Sequence, residues 1–301
     1  MGSVVQLKKQ ITNAYTDLVN SVDEKLSLVE DKISYKLDSK VQLVKEMTAY
    51  HMTSGGKRLR ALLTLECAKL CGYTKGSRDV NLAACVELIH AATLMHDDVI
   101  DSADLRRGKK TTNKIWGNQS SILVGDYLLS RCFEMMVEDG SIEVLKLLSS
   151  TSSTIAQGEV LQLQHKGDSE MLEETYLNII SSKTAALFSA SSKVGSIITD
   201  KDNKFKDALE FYGKNLGLTF QIADDTLDYN SELKMFEQNI RSKEQFEYVL
   251  KLVKKYKIIN ECYKKAEHYI SLASNSLSIF QDCEEKTILK NLTSFSINRK
   301  F

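Results

Sequence analysis

Hydrophobic side chains recur along most of this chain at intervals of three and four residues, with polar positions between them. A representative run consists of Leu82, Cys85, Val86, Ile89, His90, Thr93 and Leu94. This spacing places the apolar positions on one face of an α-helix, whereas the strict alternation of a half-buried strand hardly appears. Proline is absent and glycine occurs only 14 times, so few residues interrupt helices. The pattern predicts an all-α protein of about ten helices.

The sequence contains no clear boundary between domains. Its 301 residues suit one large domain or two smaller ones. The segment 141–153 is polar and rich in serine, but it is too short to be a convincing linker. We therefore expect a single domain over residues 1–301, with a motif-bearing core at 55–229 and C-terminal helices at 237–301.

Composition and charge argue against several classes of protein. Forty basic and 40 acidic residues give a net charge of zero, whereas a face that binds nucleic acid is usually strongly basic. No stretch reaches the roughly 18 apolar residues of a membrane helix, and the N-terminal segment lacks an apolar signal core. The six cysteines form no Cys-x-x-Cys pair, which indicates buried thiols in a reducing compartment. We expect a cytoplasmic protein.

Two acidic clusters of the form Asp-Asp-x-x-Asp each follow an apolar helical run. They contain Asp97, Asp98 and Asp101, and Asp224, Asp225 and Asp228. The outer carboxylates of each cluster lie one helical turn apart on one face, about 6 Å along the axis. Such carboxylates repel each other unless a cation lies between them, and Mg²⁺ takes one or two carboxylates together with phosphate oxygens and water. The clusters predict Mg²⁺ around a diphosphate; for either cluster alone, a solvated helix end is the alternative.

Basic residues near the first cluster suit a phosphate ligand. They are Lys57, Arg58 and Arg60 after a glycine pair, Arg106 and Arg107 after the cluster, and His90 about two helical turns before it. A glycine-led helix start with cations favours an anion, and arginine binds phosphate oxygens through two N–H groups. We expect Lys57 and Arg60 to share a helix face. The alternatives are a charged helix start exposed to water and a histidine that belongs to the core.

Together these residues resemble the trans-prenyl diphosphate synthase family, and Trp116–Leu128 resembles its bacterial, octaprenyl-type long-chain branch. The matching motifs, in order, are Gly56–Arg60, His90, Asp97–Asp101, Arg106–Gly108, Gly125–Asp126, Lys183–Thr184 and Phe220–Asp228. The resemblance implies the isoprenoid synthase fold, a helical bundle around a deep central cavity that usually forms a homodimer. It also implies an enzyme that condenses isopentenyl diphosphate head to tail with an allylic diphosphate. The product would be a long-chain all-trans polyprenyl diphosphate for isoprenoid or quinone side chains.

The resemblance also implies a role for each matching residue. The metal ligands for Mg²⁺ would be Asp97, Asp101, Asp224 and Asp228. Isopentenyl diphosphate would be bound by Lys57, Arg60, His90 and Arg107. The allylic diphosphate or its leaving group would be contacted by Arg106, Lys183, Thr184 and Gln221. Catalysis would depend on Asp97, Asp101, Asp224, Arg106 and Lys183, because positive charge held at these residues stabilises the departing pyrophosphate.

Product length is expected to depend on small residues near the first cluster. Ala92 lies five residues before Asp97, about 7.5 Å along the helix, and neither Ala92 nor Thr93 is bulky. In the family that this chain resembles, a bulky aromatic side chain near this position stops growth of the prenyl chain early. Ala92 and Thr93 are small, so the sequence predicts a product of octaprenyl size. Phe133 and Met136 are expected to share a helix face and form a floor; plain core packing is the alternative.

The resemblance breaks after Tyr229, where the family continues with a Lys- and Gly-rich loop that this chain lacks. Ala61 and Lys110 stand where the family has prolines. Three explanations stay open: the loop is deleted and activity is weakened, Lys234 replaces part of its charge, or a segment of the natural protein is absent from this sequence. Two other functions also stay open. One is a non-catalytic or weakened partner subunit of a heteromeric prenyl synthase, and the other is a terpene cyclase or head-to-head coupling enzyme.

Overall fold

The computed structural model describes the backbone of residues 2–228 and 243–298, and the side chains of residues 14–227, 247–248 and 251–295. The all-α prediction is confirmed. The helices are α1 (Gly2–Lys36), α2 (Gln42–Thr53), α3 (Leu59–Leu70), α4 (Arg78–Ile100), α5 (Thr112–Trp116), α6 (Asn118–Asp139), α7 (Ile142–Gln164), α8 (Glu173–Ile180), α9 (Ala186–Ile197), α10 (Asn203–Asp228), α11 (Lys243–Lys255), α12 (Ile258–Ser276) and α13 (Glu284–Asn298). A π-helical turn, Ser181–Ala185, joins α8 to α9, and an antiparallel hairpin pairs β1 (Leu105–Arg106) with β2 (Lys109–Lys110).

The described helices are slightly more numerous than the sequence predicted, because glycines divide runs that look continuous. Gly117, at φ +86°, lies between α5 and α6, and Gly140, at φ +74°, follows α6. Glycine adopts such positive φ values without steric cost. In the described parts of the chain, no helix combines the length and the apolar character needed to cross a bilayer.

The chain divides into two compact units, each built from segments that are distant in sequence. Unit 1 comprises residues 1–18, 154–189 and 203–301, and unit 2 comprises residues 19–153 and 190–202. The single domain with a deep central cavity stays a prediction.

The core of unit 2 is formed by α3, α4 and α6, and α4 packs against both of the other helices. The α4 residues Leu82, Val86, Leu88 and Met95 are all fully buried, so α4 is apolar nearly all round, as expected for a central helix. Full burial of each such side chain contributes roughly 1.5–3 kcal/mol. The packed helix therefore gives the first acidic cluster, at its C-terminal end, a rigid support.

The core of unit 1 forms around α10, which packs against α12, α13 and the π-helical turn. A buried cluster joins these elements: Ile180, Ala185, Leu218, Ile222 and Ala266. Tyr212 of α10 is also fully buried, and its hydroxyl donates to the Leu289 carbonyl at 2.8 Å. The second acidic cluster thus lies at the end of a helix that is anchored on several sides.

The expectation of buried thiols is confirmed for four of the six cysteines and is wrong for one. Those buried are Cys67, Cys71, Cys85 and Cys132, whereas Cys262 is half-buried and Cys283 is exposed. Burial raises the pKa of Cys71 to about 11, so this thiol stays protonated at neutral pH. Cys283 lies outside the core because it occupies the turn just before α13.

Candidate active site

The first acidic cluster occupies the C-terminal end of α4 in unit 2. The Asp101 backbone N–H donates to the Asp97 carbonyl at 2.8 Å, so the helical turn continues through the cluster. The predicted one-turn spacing of these two residues is therefore confirmed. Asp97 is buried and Asp101 is exposed, which places one carboxylate in the protein and the other towards solvent.

The middle residue of this cluster, Asp98, is neutralised by an arginine. Its carboxyl oxygen Oδ1 accepts from Arg106 Nε at 2.9 Å and from Nη2 at 2.7 Å. Asp98 is only 1% exposed, and an unpaired charge so deeply buried would be strongly unfavourable. The β1–β2 hairpin returns the chain so that Arg106 reaches Asp98. No role was assigned to Asp98 from the sequence, although Asp98 and Arg106 are only eight residues apart.

The glycine pair before α3 brings the backbone close to a second arginine. Gly55 and Gly56 have φ values of +86° and +146°, which a residue with a Cβ rarely adopts. A Cβ on Gly56 would lie 2.7 Å from Arg107 Nη1, and Arg107 donates to the Gly55 carbonyl. The pair is therefore required both by its own turn and by the Arg107 side chain.

The backbone of this turn shows that one prediction about the basic residues Lys57 and Arg60 is wrong. Helix α3 begins at Leu59, and Arg58 before it has a left-handed backbone at φ +46°. Lys57 therefore precedes the helix, and the expectation that Lys57 and Arg60 share a helix face is wrong. The glycine-led turn sets the direction of Lys57 instead.

Arg58 anchors this turn to two glutamates. It donates from Nε to Glu30 at 2.7 Å, and its Nη1 lies 3.5 Å from Glu87. Burial alone would lower the pKa of Arg58, but the hydrogen bond to Glu30 and the charge of Glu87 raise it overall. Glu87 also accepts the backbone N–H of Ala61 at 3.1 Å. The trans-prenyl diphosphate synthase family has proline at the position of Ala61. Because proline has no N–H, it cannot make this hydrogen bond, whereas Ala61 can.

A pocket in unit 2 is lined by several cations and by His51, whose charge is suppressed, as is that of His90. It is lined by Tyr50, His51, Ser54, Leu94, Asp98, Arg106, Arg107, Lys110, Thr111 and Thr112. Burial, followed by repulsion from Arg106 and Arg107, lowers the pKa of His51 to about 4. Burial and the charges of Arg60 and Arg107 hold the pKa of His90 well below its usual value. Both imidazoles are neutral at pH 7, so the arginines supply the positive charge for an anion. Sequence reasoning missed His51 because no spacing links it to Arg106.

Gly125 and Asp126 of α6 have a packing role beside the first cluster. A Cβ on Gly125 would collide with the His96 ring, so glycine lets α6 pass close to α4. His96 Nε2 lies 3.2 Å from the Ile122 carbonyl and 3.4 Å from Asp126 Oδ1. The pair of residues thus fixes α6 against the helix that carries Asp97.

The second acidic cluster lies at the end of α10 in unit 1. Its middle residue, Asp225, accepts hydrogen bonds from neutral groups instead of from an arginine. Asp225 Oδ2 accepts the Tyr176 hydroxyl at 2.6 Å, and its Oδ1 accepts Gln221 Nε2 at 2.8 Å. Gln221 Oε1 in turn accepts the Thr184 hydroxyl at 2.8 Å. Asp224 is half-buried, and the side chain of Asp228 lies outside the described residues.

Lys183 belongs to the π-helical turn and pairs with a glutamate of α7. Its Nζ lies 2.8 Å from Glu159 Oε2. The neighbouring Gly158 allows this contact, because a Cβ there would lie 2.9 Å from the Lys183 backbone nitrogen. π-Helical turns often occur at functional sites. The structure places Thr184 and Gln221 beside Asp225, with Lys183 in the same π-helical turn as Thr184. Their contact with an allylic diphosphate stays a prediction.

The residues expected to set product length lie in different environments. Ala92 is fully buried, while Thr93 is partly exposed and donates its hydroxyl to the His90 carbonyl at 2.8 Å. Phe133 is 48% exposed and Met136 only 2%, so these two do not form one surface. The product-length role of Ala92, Thr93 and Phe133 stays a prediction.

The donor set of the clusters fits a hard divalent cation that is shared with a ligand. Among the described residues, no three His, Cys, Asp or Glu side chains group closely enough to hold a metal by themselves. Mg²⁺ needs only one or two carboxylates when phosphate oxygens and water complete its shell. The segment after Tyr229, including Lys234, lies outside the described residues.

Known proteins with similar sequences and folds are prenyl diphosphate synthases. The octaprenyl diphosphate synthase of Escherichia coli (strain K12) is 42% identical over 212 residues, a match that covers 70% of this chain and 65% of that synthase's own length. The decaprenyl diphosphate synthase structure from Rhodobacter capsulatus has a TM-score of 0.88 at 34% identity, covering 94% of this chain and 98% of that one. A polyprenyl synthase from Caulobacter crescentus CB15, complexed with calcium and isoprenyl diphosphate, has a TM-score of 0.86 at 33% identity, covering 95% and 98%.

The match to a whole family covers most of the chain. Residues 41–271 correspond to the Polyprenyl synthetase family, and this span includes both acidic clusters, the glycine turn before α3 and the π-helical turn. The motifs quoted from the sequence fall inside it. The chain therefore belongs to the polyprenyl synthetase family.

Proposed function

We propose that this chain is a long-chain trans-polyprenyl diphosphate synthase that adds isopentenyl diphosphate units to an allylic diphosphate and releases pyrophosphate. The observation that carries the proposal is the family match over residues 41–271, within which both acidic clusters are intact. The E. coli relative is named an octaprenyl diphosphate synthase and the R. capsulatus structure a decaprenyl diphosphate synthase. These names support a product of about octaprenyl length, used for isoprenoid or quinone side chains.

Isopentenyl diphosphate binds, in this proposal, at the basic side of unit 2. Arg107 is held by the glycine turn, and Lys57 and Arg60 flank the start of α3. His90 stays neutral because of its lowered pKa, so it contributes a hydrogen-bond donor without adding repulsion to Arg60. Charge-assisted hydrogen bonds from these groups to phosphate oxygens are roughly twice as strong as neutral ones.

Each acidic cluster is proposed to contribute metal ligands for the allylic diphosphate. In unit 2, Asp97 and Asp101 would hold Mg²⁺, and in unit 1 Asp224 and Asp228 would do so; bound Mg²⁺ would supply positive charge that stabilises the departing pyrophosphate. Arg106 and Lys183 add fixed cations, and each is already oriented by a carboxylate. Thr184 and Gln221 orient the leaving group. The double bond of isopentenyl diphosphate then attacks the allylic carbocation, and the new cation loses a proton to the released pyrophosphate. Buried apolar walls exclude water from the cation.

The growing prenyl chain extends past Thr93, which lines its path. Ala92 lies in the core behind this lining. Because Ala92 is fully buried, a phenylalanine there would also disturb packing, so Thr93→Phe is the cleaner test of product length. We expect Thr93→Phe to shorten the product towards farnesyl or geranylgeranyl length, and Phe133→Ala to lengthen it. An unchanged product distribution in Thr93→Phe would show that the tail does not pass this residue.

The protein is proposed to act as a homodimer through α6. Leu123 and Val137 are exposed by 68% and 67%, and their separation of fourteen residues places them on one side of the helix. An exposed apolar stripe of this kind marks an interaction surface. Leu123→Glu together with Val137→Glu is expected to give a monomer in analytical ultracentrifugation, whereas an unchanged dimer would assign the interface elsewhere.

The decisive experiment is incubation of the chain with isopentenyl diphosphate, farnesyl diphosphate and Mg²⁺, followed by sizing of the products. Long prenyl diphosphates would support the synthase. Activity that appears only after addition of a second chain would instead identify a partner subunit, which the intact clusters disfavour. A cyclic product would identify a cyclase.

A further inference from the structure

A set of four side chains links α8, the π-helical turn and α10 in unit 1. Tyr176 donates to Asp225, Gln221 donates to the other oxygen of Asp225, and Thr184 donates to Gln221. The three distances lie between 2.6 and 2.8 Å. Both oxygens of Asp225 and both ends of the Gln221 side chain are therefore engaged by groups of the protein.

Packing fixes the position of each member of this set. A Cβ on Gly217 would lie 2.6 Å from the Ala185 Cα, so glycine lets α10 pass directly against the π-helical turn. Gly217, Gln221 and Asp225 follow at intervals of four residues, so they share the face of α10 that meets this turn. Asp224 lies about 100° further round the helix. The amide and the middle carboxylate thus face the π-helical turn, and the neighbouring carboxylate projects in a different direction.

Tyr176 is held by its ring as well as by its hydroxyl. The ring packs against the buried cluster that contains Ile180, Ala185 and Ile222. A ring fixed in this way presents its hydroxyl to Asp225 in one direction, so little side-chain entropy is lost when the hydrogen bond forms.

We propose that Tyr176 is a positioning residue for the second acidic cluster: through Asp225 it fixes the amide of Gln221, and the amide fixes the hydroxyl of Thr184. The inference rests on the proposed function, in which Gln221 and Thr184 contact the allylic diphosphate. If the Gln221 amide group rotated by 180°, its Oε1 would face Asp225 Oδ1. Both atoms are hydrogen-bond acceptors with no proton between them, so this orientation is unfavourable. Gln221 therefore keeps its second N–H for a phosphate oxygen, which is also purely an acceptor.

The test compares Tyr176→Phe with Tyr212→Phe in the full chain. Each variant removes one tyrosine hydroxyl of unit 1, but Tyr212 donates to the Leu289 backbone carbonyl and lies nine residues, about 13.5 Å along α10, before Gln221. The readout is the affinity for farnesyl thiodiphosphate, a non-reactive allylic probe, measured by calorimetry with Mg²⁺ present. The melting temperature and the affinity for isopentenyl diphosphate are measured in parallel.

We expect Tyr176→Phe to weaken thiodiphosphate binding about 5- to 10-fold, which lies within the net contribution of a typical hydrogen bond. Its KM for the allylic substrate should rise more than its kcat falls, and binding of isopentenyl diphosphate should stay unchanged. Tyr212→Phe should lower the melting temperature and leave both affinities as in the wild type. A second change, Asp225→Asn, should add little to Tyr176→Phe if the two residues act through one path.

Two results would overturn the inference. If Tyr176→Phe lowers the melting temperature but leaves thiodiphosphate affinity at the wild-type value, Tyr176 is only structural. If Tyr176→Phe and Asp225→Asn weaken binding additively, the two residues do not act in sequence. Failure of the wild-type chain to bind thiodiphosphate at all would instead refute the proposed function, and the inference with it.

Discussion

Asp98 and Asp225 hold the same place in two acidic motifs of the same form, yet the protein satisfies them in different ways. Asp98 is almost completely buried and forms an ion pair with Arg106. Asp225 is half-buried and receives its hydrogen bonds from a phenol and an amide. An arginine cancels the charge of a carboxylate, whereas neutral donors orient it and leave its charge in place.

The difference has consequences for each motif. The surroundings of the first cluster include Arg58, Arg106 and Arg107, which repel protons from His51, so this region favours an anion. Around Asp225 the described hydrogen-bond donors are neutral, so its negative charge is available to attract a cation. Two motifs of the same form are therefore suited to ligand groups of opposite charge.

The outer carboxylates should be equally important in both regions. Asp97→Ala and Asp224→Ala are each expected to reduce turnover by about 10³-fold, since loss of one major electrostatic contact to a transition state costs this much. Incorporation of labelled isopentenyl diphosphate measures the loss, and circular dichroism verifies that helical content is retained. Near-normal activity of either variant with Mg²⁺ would refute its assignment as a metal ligand.

The basic surroundings of the first cluster should make stability depend on pH. The pKa of His51 is lowered to about 4 in the folded protein from an ordinary value near 6.5. The unfolded chain therefore binds more protons between these values, and the free energy of unfolding should fall by up to about 3 kcal/mol as pH drops from 7 to 4. Urea unfolding across this range measures the slope. His51→Gln should remove this part of the slope and leave the part that His90 contributes; an unchanged slope in that variant would assign the effect to other groups.

The two middle aspartates should differ in their contribution to stability. Asp98→Asn leaves Arg106 without its counter-charge, and because Arg106 is one-third exposed we expect a loss of about 2 kcal/mol, below the range for a fully buried pair. Asp225→Asn keeps an acceptor for Tyr176 and should cost about 1 kcal/mol. Urea unfolding of both variants compares them. A larger loss in Asp225→Asn would contradict the proposed difference between ionic and neutral environments.

The smallest effect is expected for the ion pair beside the second cluster. Glu159→Gln removes the charge that orients Lys183, and the KM for the allylic substrate should rise about three-fold, the scale of a partly exposed pair. Glu173→Gln is the matched control, because Glu173 pairs with Lys265 elsewhere in unit 1. Equal changes in both variants would show that Lys183 is not positioned by Glu159.

The sequence alone determined the helical class and the relations between residues within one helix. Helix formation follows from local spacing, so the one-turn relation of Asp97 and Asp101 was readable from the chain, as was the pair Gln221 and Asp225, four residues apart. The glycine pair also indicated that a helix begins shortly after it. The sequence did not show that Lys57 lies before this helix, α3.

Only the tertiary structure decided which partner each charged group meets. Tyr176 lies 49 residues from Asp225, and Lys183 lies 24 residues from Glu159; no local pattern connects either pair. Their contacts exist because Gly217 and Gly158 allow helix backbones to approach the π-helical turn. The lowered pKa of His51 depends in the same way on its burial in the fold and on the arginines that the fold brings near it. Local spacing fixes directions along one helix, whereas neutralisation and positioning depend on close approach between elements, which packing alone determines.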